Sequence, residues 1–292
     1  MTDLHIEAFG AGEPAVLVHG SGSWGADTFG QQRTLADEFR LNLIDRRGYG
    51  RSPAARAIGW PADAGDVAGL LTDLGRAHLV GHSSGGTVAL LAAALAPDAV
   101  RSLVVVEPAV WGIADGASSP PVYAAADRAA WVRGPAVPAR EFLTALTGLY
   151  LGDEAADVVA ATTAGFSAAD WAAADAWRHE AWPGDAVIGL ATLAAAGFPK
   201  VVVIGGYDPA ADPVTARYAA SGHLRALQAE RRALARRISA RLVTFSQATH
   251  APMIEAPGAF NTLLRGTWRA SARGPGAARR RAYSAGPSMG QE

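Results

Sequence analysis

Gly81-His82-Ser83-Ser84-Gly85 is the stretch on which the reading of this chain turns. A short apolar run at 77–80 leads into it, and a small-residue helical run at 86–95 leads out and stops before Pro97. Strand, sharp turn and helix in that order make G-x-S-x-G a nucleophile elbow, in which the turn holds the serine exposed and strained. Gly81 and Gly85 allow the tight turn and the close approach of helix to strand. The helix begins at once after Ser83, so its unpaired N–H groups and positive dipole end face any negative charge formed there.

A serine hydroxyl is a weak nucleophile and needs a base, itself oriented by a third group. Among the seven histidines, His250 has the best context. It follows the strand-like run 241–245, and residues just past the carboxyl ends of strands line the site of a doubly wound sheet. His82 lies inside the elbow with its side chain expected to point away from Ser83. For the orienting acid, the run Val201-Val202-Val203-Ile204-Gly205-Gly206-Tyr207-Asp208 puts Asp208 in the loop after the penultimate strand. Asp212, four residues on, and Glu107, at the end of the strand-like run 102–106, are the alternatives. The oxyanion hole is expected from the N–H of Ser84 and from the loop His19-Gly20-Ser21-Gly22, with Ser21 first and Gly22 next.

The rest of the chain alternates strand-like and helical stretches, the signature of a mostly parallel sheet covered on both faces. Strands are expected at 5–9, 15–18, 41–44, 77–80, 102–106, 200–204 and 241–245, and helices at 63–74, 213–238 and 258–268. Several of the strands are continuous apolar runs, as in strands buried on both sides. Alternation stops between 111 and 197, a stretch rich in Ala and Trp with no clear strand. It reads as a helical insertion whose aromatics form mainly its own small core, while Trp111, with Trp24 and His82, is a pocket candidate. From 271 the chain is rich in breakers and reads as a flexible tail.

Half of the 292 residues are hydrophobic and the formal net charge is −1, which permits a sizeable core and gives no footing for nucleic acid or an anionic membrane. The absence of cysteine excludes disulfides, thiol nucleophiles and thiolate metal sites. No secretory signal or membrane span is read, and the expected location is the cytoplasm.

Five pieces together, Val18-His19-Gly20, 45–52 (Asp-Arg-Arg-Gly-Tyr-Gly-Arg-Ser), 81–86, 205–208 and 250–257, resemble the α/β-hydrolase superfamily over nearly the whole chain to about Trp268. The resemblance implies an α/β-hydrolase core at 1–110 and 198–270, a helical cap at 111–197, and a structural role for the 45–52 loop. It also implies a cofactor-independent serine hydrolase, with no metal, that cleaves an ester-type bond of a medium-sized, largely apolar small molecule through an acyl-enzyme. A C–C bond hydrolase, a thioesterase or cyclase on the same triad, and a ligand-binding module with negligible turnover are the other readings.

Overall fold

The computed structural model describes residues 3–55 and 58–272. Seven strands form one sheet: β1 (Ile6–Phe9), β2 (Glu13–Val18), β3 (Phe39–Ile44), β4 (Ala77–His82), β5 (Val100–Val106), β6 (Lys200–Gly205) and β7 (Arg241–Phe245). They lie in the order β1-β3-β2-β4-β5-β6-β7, parallel throughout except for β1, which runs antiparallel to β3 at the edge. All seven expected strands are present, and the fold is the α/β-hydrolase architecture.

Side chains alternate between two cores, one on each face of the sheet. Val16, Val18, Leu103, Val105, Val202 and Ile204 enter one, and Ala15, Leu17, Val104, Val106, Val201 and Val203 enter the other. The period of two therefore survives inside runs that are apolar at every position, because both faces are dry.

Helices surround the sheet. Flanking and following its first half are α1 (Gly25–Phe29), α2 (Trp60–Asp73) and α3 (Ser84–Leu95). Between β5 and β6 the chain is helical: α4 (Pro121–Arg133), α5 (Ala139–Leu151), α6 (Ala155–Thr163), α7 (Ala168–Trp177) and α8 (Leu190–Ala195). Within this insertion Trp131, Phe142 and Leu146 form a small core of their own, joined by partly buried Trp177 and Trp182. The second half adds α9 (Pro213–Ala220), α10 (Gly222–Arg237), α11 (Pro252–Glu255) and α12 (Pro257–Ala272).

Two helices depart most from expectation. The single helix expected over 213–238 is broken at Ser221, which adopts extended backbone and accepts the N–H of His223 on its hydroxyl, capping α10. Such a local side-chain bond is what makes serine a helix starter and a poor interior residue. The last helix runs on to Ala272, because Trp268, fully buried, anchors it against Phe39 and His78. The remainder of the expected tail, from 273, lies outside the described residues. Among those residues no helix is long and apolar enough to cross a membrane.

Candidate active site

Ser83 stands between β4 and α3 with φ 52° and ψ −123°, a left-handed conformation that a side chain adopts only when its surroundings impose it. They do so here. Its N–H donates to Val106 O at 2.9 Å and its carbonyl accepts Gly86 N at 2.9 Å and Ala109 N at 3.1 Å. A Cβ at Gly81 would collide with Gly85 O and Ala89, and one at Gly85 with the carbonyls of Val18 and His19. The two glycines are thus required by close approach of backbones.

His250 follows β7 and precedes α11. Its loop is tied from below by Glu255, whose carboxylate accepts the N–H of Thr249 at 2.7 Å, the Thr249 hydroxyl at 2.9 Å and the N–H of Ala251 at 2.8 Å. His250 Nδ1 lies 3.4 Å from Glu107 Oε2, at the long end of hydrogen-bonding distance. Sequence reasoning misses Glu255 as the clamp; its place five residues after His250, in a loop that must be held, is the available signal.

Glu107 directly follows β5, is fully buried, and has φ 47°. Its Oε1 accepts Gly205 N at 2.8 Å and Gln228 Nε2 at 3.2 Å, and its Oε2 accepts Arg231 Nη1 at 2.5 Å and the Tyr207 hydroxyl at 3.1 Å. Burial alone would push this carboxyl up. The charge of Arg231, with His250 and the Gly205 N–H, outweighs that and holds it below the usual carboxylate range.

Asp208, expected to orient the imidazole, is exposed, and its Oδ1 accepts Ala210 N at 2.9 Å in a local turn. The reason is the residue before it. Tyr207 takes φ 50° and turns its buried ring inward to Glu107, which sends Asp208 outward. Asp212 caps α9, accepting the N–H groups of Val214 and Thr215 at 2.8 and 2.9 Å and the Thr215 hydroxyl at 2.6 Å. The carboxylate brought to His250 is therefore the alternative, Glu107.

Ser83, His250, His82 and Ser21 share one cavity of about 600 Å³, walled largely by aromatic and aliphatic side chains including Trp111, Trp131 and Tyr150. His82 thus faces the site instead of pointing away; its Nε2 is 3.0 Å from His250 O. Its pKa lies well below the ordinary histidine value, first through burial and then through His250. Ser84 opens α3, where its N–H has no intrahelical acceptor. The Ser84 hydroxyl is 2.8 Å from that of Ser21, so the two expected oxyanion-hole residues are bonded to each other. Gly22 packs under the Trp177 ring. Trp24 does not reach the cavity wall; it packs with Tyr49, Ile58, Ala173 and Ala176.

Behind Ser21 and Ser84 lies a buried charge cluster where the sequence alone suggests only a structural loop. Arg46, wholly buried, donates to Asp63 at 2.9 Å, to Glu180 of the helical insertion at 2.5 Å and to the Ser84 hydroxyl at 3.2 Å. Glu180 also accepts the hydroxyls of Ser21 at 2.5 Å and Tyr49 at 2.8 Å. Burial, only partly offset by Arg46, raises the Asp63 carboxyl to about 6. Among the described residues no group of three or more His, Asp or Glu side chains is disposed to hold a metal ion.

The sequence model of the alpha/beta hydrolase family matches residues 15–263. A pimeloyl-[acyl-carrier protein] methyl ester esterase of Aeromonas hydrophila is 38% identical over 105 residues, a match that covers 35% of this chain and 41% of that protein. Over the fold, a thermophilic esterase from Thermogutta terrifontis, solved with malate bound, superposes with TM-score 0.63 at 25% identity, covering 92% of this chain and 93% of that one. An alpha/beta hydrolase from Sphaerobacter thermophilus gives TM-score 0.62 at 27% identity, over 89% of this chain and 96% of its own.

Proposed function

The chain belongs to the alpha/beta hydrolase family, and on that footing we propose that it is a serine hydrolase cleaving an ester of a medium-sized, largely apolar small molecule. The carrying observation is that Ser83, strained at the elbow, opens onto the same cavity as His250, whose Nδ1 meets the buried carboxylate of Glu107. Ser83 Oγ bonds to the ester carbonyl carbon as His250 takes its proton, and the N–H groups of Ser84 and Ser21 hold the oxyanion. Collapse breaks the C–O bond, and the alcohol leaves with the proton from His250. Water, activated by the same imidazole, then hydrolyses the acyl-enzyme.

Glu107 keeps the Nδ1 proton in place and stabilises the imidazolium. Arg231 and the Gly205 N–H in turn keep Glu107 ionised, which suits an orienting acid and not a proton donor. The cavity falls within the range of about 300–1,000 Å³ usual for small-molecule sites. The choice of an ester among acyl bonds follows the Aeromonas relative, which is named for a methyl ester.

The test is intact-mass analysis after fluorophosphonate treatment, beside turnover of p-nitrophenyl esters, on the wild type and Ser83→Ala. One adduct and measurable turnover on the wild type, with neither on the variant, is the expected result. An unlabelled, folded wild type that turns over no ester would overturn the proposal.

A further inference from the structure

The cavity above Ser83 contains a carboxylate that the hydrolytic reaction does not use. Asp127, on α4, lines that cavity. Its Oδ2 accepts the indole N–H groups of Trp111 and Trp182, each at 2.8 Å. All these donors are neutral. No arginine or lysine forms an ion pair with Asp127 among the described residues. Arg231, the guanidinium in the wall of this cavity, is committed to Glu107 at 2.5 Å and to Pro108 O at 3.1 Å. Burial accordingly pushes the Asp127 carboxyl upward, against the indole hydrogen bonds.

An unsatisfied group stands beside it. His223 is 2% exposed, and its Nε2 has no hydrogen-bond partner among the described residues. That nitrogen lies 3.9 Å from Asp127 Oδ1, too far for a direct bond. Burial holds the imidazole neutral by lowering its pKa to about 4, so it supplies no counter-charge to Asp127. The rings of Trp111 and Tyr150, both in the cavity wall, stand T-shaped to the His223 ring with centroids 5.4 and 4.7 Å away, and an aromatic wall suits a cation.

From the uncompensated carboxylate, the orphaned imidazole nitrogen and the aromatic walls, we propose that Asp127 is the specificity determinant for a substrate bearing a protonated amino group. The ammonium takes the place of the missing counter-charge, donating to Asp127, while the ester carbonyl sits at Ser83. A substrate arm ending in a carboxylate is disfavoured by the same charge. The inference rests on the ester-hydrolase reading of the Ser83 site.

The experiment compares p-nitrophenyl esters of ε-aminocaproate, heptanoate and adipate, which carry a cationic, a neutral and an anionic arm of similar length. Hydrogen bonds to charged groups support an advantage of at least about tenfold in kcat/KM for the ammonium ester over the neutral one, with the anionic ester below both. In Asp127→Asn, which keeps an oxygen for the indoles, the cationic-to-neutral ratio falls to one or less. A wild-type ratio of one or less, or a preference that survives in Asp127→Asn, overturns the assignment. Thermal shifts of Ser83→Ala with hexylammonium and with hexanol separate this proposal from the hydrolytic reading, since they need no turnover. Stabilisation by hexylammonium alone supports the Asp127 site even if no ester is cleaved, and equal or absent shifts refute it even if esters are.

Discussion

Replacing Glu107 by Gln separates the two acids that stand at neighbouring strand ends. Every hydrogen-bond partner of the carboxylate is a donor: Gly205 N–H and Gln228 Nε2 on Oε1, Arg231, the Tyr207 hydroxyl and His250 on Oε2. Whichever way the amide is turned, its NH₂ meets donors, and Arg231 is left buried without its anion. Breaking a buried pair from one side costs about 3–5 kcal/mol, which lowers the melting temperature by on the order of 10 °C. The imidazole also loses the group that fixes its tautomer. An amide in place of the acid of a serine-protease triad lowers kcat by about 10⁴-fold, equivalent to about 5.4 kcal/mol of barrier. Asp208→Asn touches only the turn bond to Ala210, so its stability change should stay within roughly 0.5 kcal/mol and its kcat close to wild type. The assay is kcat on a p-nitrophenyl ester at a temperature where urea titration shows each variant folded. Glu107→Asp, which keeps the charge but retracts it, should fall between. A folded Glu107→Gln with wild-type kcat, or an Asp208→Asn that loses two or more orders of magnitude, would refute the assignment.

The remaining predictions address the scaffold. Glu180→Gln weakens the attachment of the helical insertion to Arg46, Tyr49 and Ser21. It should destabilise by about 3 kcal/mol and lower kcat more than it changes KM, read from urea titration and steady-state kinetics; a change in KM alone would contradict a role through Ser21. Gly85→Ala forces a Cβ into the carbonyls of Val18 and His19; with a cost of roughly 3 kcal/mol or more, fluorophosphonate labelling of Ser83 should be lost, and normal labelling would show that the strand and helix can separate. His19, His78, His82 and His223 all have pKa values lowered by burial, the second and fourth to about 4. Their unfolded forms take up protons below about pH 6.5 while the folded forms do not, so stability is full above that pH and falls as pH drops toward 4. The slope is up to about 1.4 kcal/mol per pH unit for each imidazole. Urea midpoints at pH 7 and pH 5 measure it, and an unchanged midpoint would contradict the burial of these rings.

The features legible in the amino-acid sequence are local in the chain. The elbow needs only its own five residues and the elements on either side, and the strands need only their apolar runs. His250 is legible because it follows a strand end. The contacts that are not legible join distant segments. Arg231 reaches Glu107 across 124 positions, and Trp182 reaches Asp127 across 55. Arg46 reads as part of a structural loop because its partner Glu180 lies in the insertion, 134 residues on. Trp24 is drawn away from the cavity by Tyr49 and by the α7 residues Ala173 and Ala176, which no local pattern places beside it.

The orienting acid shows why strand-end reasoning stops short by one step. β5 and β6 are parallel neighbours with Val106 opposite Val203, so their carboxyl ends lie within about 5 Å of each other. An acid just past either strand is within reach of one imidazole, and the order of residues along the chain does not choose between them. The choice is made by a turn and a counter-charge. The positive φ at Tyr207 sends Asp208 into solvent, where its carboxylate accepts only the turn N–H of Ala210. The helix α10 delivers Arg231 beneath Glu107, where a buried carboxylate would otherwise be too costly to keep ionised. An acid at a strand end is therefore better ranked by whether a distant helix can bring it a guanidinium than by its position after the penultimate strand. Here that criterion favours Glu107 over Asp208, and it sets apart Asp127, whose hydrogen-bond donors are neutral indoles.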